Sequence, residues 1–376
     1  MNRAQLDLDD LERDARRRAD APDLPLRFLP ALRQLVVSIN AEARLTADGV
    51  RSARASLVQA LRTQLHLAAL HRPVPARGEP LASVTVITGL HRTGTTLLQS
   101  LLAAHPAVRA PQLWELLSPA SRQDAQALID SATRYVEEYH RAAPGFAAIH
   151  PLHARRPEEC HRLIANSFQS EIFGMRYRTP GYLDWLARQD HAAVYAFHRE
   201  QLAAIVARRP GRHVVLKCPF HLWHADDLAA TYPQARVVRL HRDPVTTIGS
   251  VCSLTRTIRA ARSAHVDLDE IGDFWLRRTT AAVGHLACRD AAAFAGLPVL
   301  DVRYPDLVAD PVRIVRDVCA FVGLPYGADA ERGTRRAVAA NARSGPGRHH
   351  YHLADYGLDE RKVTRSFAGY RAAYQL

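Results

Sequence analysis

Apolar residues recur at helical spacing through the first 70 positions. Asp9–Arg18 is a charged amphipathic run, and Arg27–Ala43 and Val50–Leu70 each carry a stripe of Leu, Val, Ile and Ala three and four residues apart. This segment holds no glycine loop and no cluster of catalytic residue types, and it reads as an α-helical extension that packs on the main domain, covers a substrate site or contacts a partner subunit. The proline- and glycine-bearing stretch HRPVPARGEP closes it. From Leu81 the pattern changes to short β-branched runs alternating with helical ones. Strands are expected at 84–88, His213–Leu216, Ala235–Leu240 and Val299–Val302. Helices are expected at 95–104, 124–140, 157–175, 190–208, 221–231, 244–260, 269–295 and 311–322. Strands that alternate with helices imply an α/β fold with a parallel sheet covered on both faces. The expected division is residues 1–78 for the extension and 79–376 for the sheet domain.

In such folds ligands bind beyond the carboxyl ends of the strands. The first strand ends at Gly89, a loop LHRTGTT follows, and an apolar helix opens at Leu97. A strand, a glycine loop and a helix N-terminus together cradle phosphate with backbone N–H groups and the positive helix end. Gly89 and Gly94 stand where the nucleoside-triphosphate loop G-x-x-x-x-G-K-[ST] has its glycines, but Thr95 replaces the lysine and the cation sits earlier, at Arg92. A phosphate loop without that lysine should hold a different nucleotide. A second landmark is VVRLHRDPVTTIGSVCSL, residues 237–254: Arg242 follows a strand, Pro244 opens a helix, and Ser250 lies eight residues after Arg242. The two can face one anion.

Charge supports an anionic ligand without choosing among ligands: 50 basic and 38 acidic side chains give a net charge of +12. No run of basic residues interleaves with aromatics, which argues against nucleic acid. Lys217 and Lys362 are the only lysines, so 48 of the basic residues are arginine. A lysine within the apolar strand VVLKCPF therefore points to a need for a compact ammonium. Five scattered cysteines, Cys160, Cys218, Cys252, Cys288 and Cys319, read as reduced core thiols of a cytoplasmic protein. No stretch approaches 18 apolar residues, so no membrane span is expected.

Four segments in order, GLHRTGTTLLQSLLAAHP, LKCPFHL, ARVVRLHRDPVTTIGS and VRYPDLVADP, resemble the sulfotransferases that use 3′-phosphoadenylyl sulfate (PAPS), in particular their bacterial branch and the tyrosylprotein sulfotransferases. The resemblance covers about residues 84–370. It implies PAPS as donor with no metal, and a hydroxyl-bearing small molecule, glycan, lipid or peptide as acceptor. It implies that Arg92, Thr93, Gly94, Thr95, Thr96 and Leu97 wrap the 5′-phosphosulfate, with Arg92 neutralising the bridging oxygen. Arg242 and Ser250 would grip the 3′-phosphate, Tyr304 would lie on the nucleotide side, and Arg348 and Tyr351 would close over it from the tail. Lys217 would assist transfer, and Glu115, in APQLWELLSP, would be the general base, with His150 and His153 as rivals. His349, His350 and His352 have no acid or cysteine spacing that would make a metal site. Phe168, Phe173, Tyr177 and Trp185 are read either as an acceptor pocket or as core. Two other classes stay open at this point: a kinase using ATP and Mg²⁺, for which Asp243 would be the metal-binding acid, and a non-enzymatic basic protein that binds nucleotide or nucleic acid. A homo-oligomer is compatible with all of them.

Overall fold

The computed structural model describes residues 5–20, 23–70, 83–209, 213–287, 294, 296–343 and 351–376. Five parallel strands form one sheet: β1 Ser83–Gly89, β2 Val108–Arg109, β3 His213–Lys217, β4 Arg236–His241 and β5 Val299–Arg303, in the order β2-β3-β1-β4-β5. The central strands β1, β3 and β4 are almost wholly buried, which is why they read as β-branched runs, whereas the edge strand β5 is mostly half-exposed. Side chains alternate between two apolar layers. Val84, Val86, Val214, Leu216 and Val237 face the larger one, while Ile87, Val215, Val238 and Leu240 face a smaller one with Leu98, Leu101, Leu307 and Val315.

Of the N-terminal helices Leu8–Ala19, Leu29–Glu42 and Ala47–Ala68, the first and third begin at the side-chain caps Asp7 and Thr46, while the second starts at Phe28 without one and carries Pro30 in its first turn. Leu32, Leu35, Leu57 and Leu61 belong to the same apolar cluster as β1 and β3. Polar ties run across as well: the Ser38 hydroxyl accepts from the Tyr182 N–H at 3.1 Å, and Arg27 pairs with Glu200 at 2.6 Å.

The expected strands all form, each within one or two residues of its predicted bounds. The two-residue β2 has too little pattern to read. The run 157–175 is not one helix; it forms His161–Ala165 and Ile172–Arg176, with a break at Phe168, whose φ of 58° no α-helix accepts. Pro219 sets a short 3₁₀ turn, Pro219–Trp223, before the helix Ala225–Thr231. In the tail, Asn341–Arg343 end a helix and Leu353–Tyr356 form a 3₁₀ turn. Cys160, Cys218, Cys252 and Cys319 are buried free thiols; Cys288 lies outside the described residues.

Candidate active site

The loop after β1 is folded tightly at the carboxyl edge of the sheet. Gly89 has φ of 151°, and a Cβ there would lie 2.5 Å from the Leu240 carbonyl oxygen of β4. Gly94, with φ of 91°, caps the helix Thr95–Leu102, and its Cβ would lie 2.7 Å from the Tyr304 ring. Arg92 between them adopts φ of 68°, a left-handed backbone that a non-glycine residue holds only under constraint. The constraint is visible: its carbonyl accepts a hydrogen bond from Arg242 Nη1 at 3.0 Å, and its Nε donates to the Ser250 hydroxyl at 3.1 Å.

The two landmarks of the sequence therefore meet. Arg242 leaves the end of β4 and lies flat over Tyr304, 4.1 Å from the ring centroid. Ser250 sits two turns into the helix Pro244–Ala260. Tyr351 packs where a Cβ on Gly249 would come within 2.6 Å of its ring, and its hydroxyl donates to the Thr246 carbonyl at 3.1 Å. Among the described residues, neither Arg92 nor Arg242 has a carboxylate within ion-pair distance. Burial first, and then the Arg242 charge, lower the affinity of Arg92 for its proton. Two guanidiniums held together without a direct ion pair, beside a helix N-terminus, are an arrangement that can seat an anion. Asp243, the acid that a metal-nucleotide reading needs, caps its helix by accepting from the Val245 N–H at 3.0 Å and pairs with Arg371 at 3.2 Å.

Lys217, at the end of β3, has a wholly buried side chain. Its Nζ donates to Thr96 Oγ1 at 3.1 Å and lies 2.6 Å from Glu159 Oε1. Burial alone would raise the Glu159 carboxyl, but Lys217 and the neighbouring histidines bring it down to about 2. His161 Nδ1 stands 3.9 Å from Glu159 Oε2. His91 and His161 are buried and kept neutral by that burial, each lowered to about 3. Among the described residues His91 Nε2 and His161 Nδ1 find no hydrogen-bond partner. His91, Glu158, Glu159 and His161 line a cavity of about 890 Å³ together with residues of the helices Ala47–Ala68 and Ala125–Ala142.

Glu115 is placed elsewhere. It is the third residue of the helix Leu113–Leu117, where one oxygen accepts from the Gln112 N–H at 2.8 Å in a capping box. Both oxygens are also held by the buried Arg109, one at 2.9 Å and the other more closely. Three donors thus already engage the carboxylate expected to act as base, and Glu115 is not among the residues that line the cavity. His150 lines it and pairs with Glu158 at 3.2 Å, whereas His153 is exposed outside it. Sequence reasoning missed Glu159, since nothing in PEEC shows that the chain returns beneath β3, where the Cys160 N–H donates to the Lys217 carbonyl at 3.0 Å. Of the four aromatics read as pocket or core, Tyr177 lines the cavity while Phe168 and Phe173 are core and Trp185 packs against it. Arg348, His349 and His350 lie outside the described residues, and His352 caps the turn Leu353–Tyr356.

Among the described residues three groups of side chains hold ligand-type atoms within 4.8 Å of one another: Cys160, His198 and His221; Glu171, His191 and His224; and His150, Glu158 and Glu159. Each group contains bonds of its own, such as Cys160 to His221 at 3.2 Å and His224 to Glu171 at 2.7 Å.

A family model described as the sulfotransferase family matches residues 85–328. The chain is also similar to the crystal structure of sulfotransferase STF1 from Mycobacterium tuberculosis H37Rv, with 30% identity over 97% of this chain and 99% of that one, at a TM-score of 0.81. Sulfotransferase STF9 from Mycobacterium avium shares the fold, with 23% identity over 99% of this chain and 97% of that one, at a TM-score of 0.84. No curated protein matches the chain at a significant level.

Proposed function

The chain belongs to the sulfotransferase family, and from that premise we propose that it transfers the sulfuryl group of PAPS in line to a hydroxyl seated in the 890 Å³ cavity. PAPS supplies an activated sulfuryl group and leaves as 3′,5′-ADP. The observation that carries the reading is the pairing of two anion seats through one hydrogen-bonded unit, Arg242 to the Arg92 carbonyl at 3.0 Å and Arg92 to Ser250 at 3.1 Å. That unit suits a donor with phosphate at both ends of its nucleoside.

On this reading the backbone N–H groups of Thr93–Thr96 and the helix start hold the 5′ end, and Arg242 and Ser250 hold the 3′-phosphate. Tyr304 supports Arg242 from beneath, and Tyr351 braces the helix that carries Ser250. Arg92 and Lys217 meet the negative charge that grows on the oxygen between phosphate and sulfur. Fixed donors of this kind need no reorganisation as charge develops. Glu159, rather than Glu115, takes the acceptor proton: one of its oxygens rests on Lys217, and the other is left toward the cavity beside His161. As the Lys217 ammonium turns to the departing oxygen, its hold on Glu159 weakens and the carboxylate becomes a stronger base.

The test is turnover with radiolabelled PAPS and a panel of phenols, sugars and aliphatic alcohols. Arg92→Ala should lower turnover on the order of 10²–10³-fold, as loss of a charge-stabilising donor does. Full activity of that variant, or phosphoryl transfer from ATP-Mg²⁺ in place of sulfuryl transfer, would overturn the assignment.

A further inference from the structure

Among the described residues five arginines line the cavity, none of them used by the transfer chemistry; Arg51 and Arg141 are exposed. Arg162, Arg176 and Arg262 all line it. None of them has a carboxylate within 4.0 Å among the described residues. Their contacts are weak or neutral. Arg162 reaches the Tyr135 hydroxyl at 3.4 Å, and its buried Nε has no hydrogen-bond partner among the described residues. Arg176 reaches Ser56 at 3.5 Å. Arg262 donates to the Ile258 carbonyl at 2.8 Å and lies over Tyr139, 5.1 Å from the ring centroid. The acids that share the cavity are engaged or peripheral: Asp48 with Arg51, Glu158 with His150, Glu159 with Lys217, and Glu138 exposed on the helix surface.

Arg262 is buried and Arg162 and Arg176 are half-buried, and guanidiniums gathered without a direct ion pair are costly to hold in the empty protein. Burial first, and then the fields of Arg162 and Arg262, weaken the hold of Arg176 on its proton. The same field acts on Tyr135: burial would raise its phenol, but Arg162 and Arg176 pull it below its ordinary range. Apolar side chains line it as well, among them Phe146, Met175, Ile172 and Leu254.

We propose that the acceptor is an amphipathic anion: a hydroxyl compound with an aromatic or otherwise apolar body whose carboxylate, or other oxyanion, is bound by Arg162, Arg176 and Arg262 while its hydroxyl lies at Glu159. The inference rests on the transfer reading for the hydroxyl end only. The anion end is tested without any donor.

Two phenols of one shape serve as probes, 4′-hydroxybiphenyl-4-carboxylate and the corresponding carboxamide, titrated calorimetrically into the full chain. The carboxylate should bind at least about tenfold more tightly than the amide, the share of one charge-assisted fork, and Arg176→Gln should remove most of that preference. A second readout is the melting temperature of the unliganded protein. Removing one of three unpaired like charges should leave it unchanged or raise it. A preference absent in the wild-type chain, whether both probes bind equally or neither binds, would overturn the proposal. So would an Arg176→Gln variant that melts several degrees lower, the mark of a structural cation. Carboxylate-selective binding without sulfation in the presence of PAPS would uphold the anion site and count against the transfer reading instead.

Discussion

Replacing Glu159 by glutamine keeps the shape of the side chain and removes its charge. In the native protein Lys217 Nζ lies 2.6 Å from Glu159 Oε1, and the lysine side chain is wholly buried. At an effective dielectric of about 20, unit charges at that separation attract by roughly 6 kcal/mol. The glutamine carbonyl still accepts a hydrogen bond, so the expected loss of stability is smaller, about 3–5 kcal/mol, as for other buried pairs that lose one partner. Lys217→Met strands the carboxylate in the same way. The double variant E159Q/K217M removes both charges and should lose less than the two single losses added together. Urea unfolding followed by far-UV circular dichroism measures all four proteins. Turnover reads the second role, since E159Q that is still folded should lose about 10²–10⁴ in kcat, the contribution of a positioned base. A single variant within about 1 kcal/mol of wild type, as for an exposed ion pair, would refute the reasoning. So would strict additivity in the double variant, or an unchanged kcat.

Glu115→Ala should separate structure from chemistry in the opposite sense. It strands the buried Arg109 and removes a capping box, for about 3–5 kcal/mol of stability, while kcat per folded molecule stays at the wild-type value; a kcat loss in fully folded protein would contradict the placement. Gly94→Ala forces a side chain into a φ of 91° and to 2.7 Å from the Tyr304 ring. Backbone strain of about 1–3 kcal/mol should appear in thermal unfolding, together with weaker 3′,5′-ADP binding by calorimetry. His91 and His161 are held neutral in the fold, each near 3 against 6.5 when exposed. The unfolded chain therefore binds more protons below pH 6.5, and stability falls as pH drops from there toward the folded values. Near pH 5 the two together contribute a slope of up to about 3 kcal/mol per pH unit. Urea midpoints between pH 7 and about 4.5 check this, and the double variant H91F/H161F should flatten the curve.

The parts of the fold and site that can be read from the sequence are those whose cause is local. The β-branched run ending at Gly89 and the Arg242-Asp243-Pro244 strand-to-helix turn carry their own signals, and they lie at neighbouring strand ends. Lys217 stands out because the chain otherwise uses arginine almost throughout. What escapes is set by contacts distant in sequence or by a single backbone angle. Phe168 breaks an otherwise helical run through one positive φ. Glu115 has the residue type of a base, but its carboxylate is committed to Arg109 on the edge strand. Glu159 acquires its place only because Cys160 bonds back to β3. Arg162, Arg176 and Arg262 come from the helices His161–Ala165 and Ile172–Arg176 and from the turn after Pro244–Ala260, and no spacing in the chain foretells that they line one cavity.

The central claim is that one cleft holds phosphate at both ends of a nucleoside. Titrating 3′,5′-ADP, 5′-AMP and ATP-Mg²⁺ into wild type and Arg242→Gln by calorimetry tests it most directly. The account predicts that 3′,5′-ADP binds wild type at least about tenfold more tightly than 5′-AMP, the worth of one charge-assisted contact, and that Arg242→Gln abolishes the difference. Equal affinity for the two adenosine phosphates in wild type, or tighter binding of ATP-Mg²⁺, would contradict it.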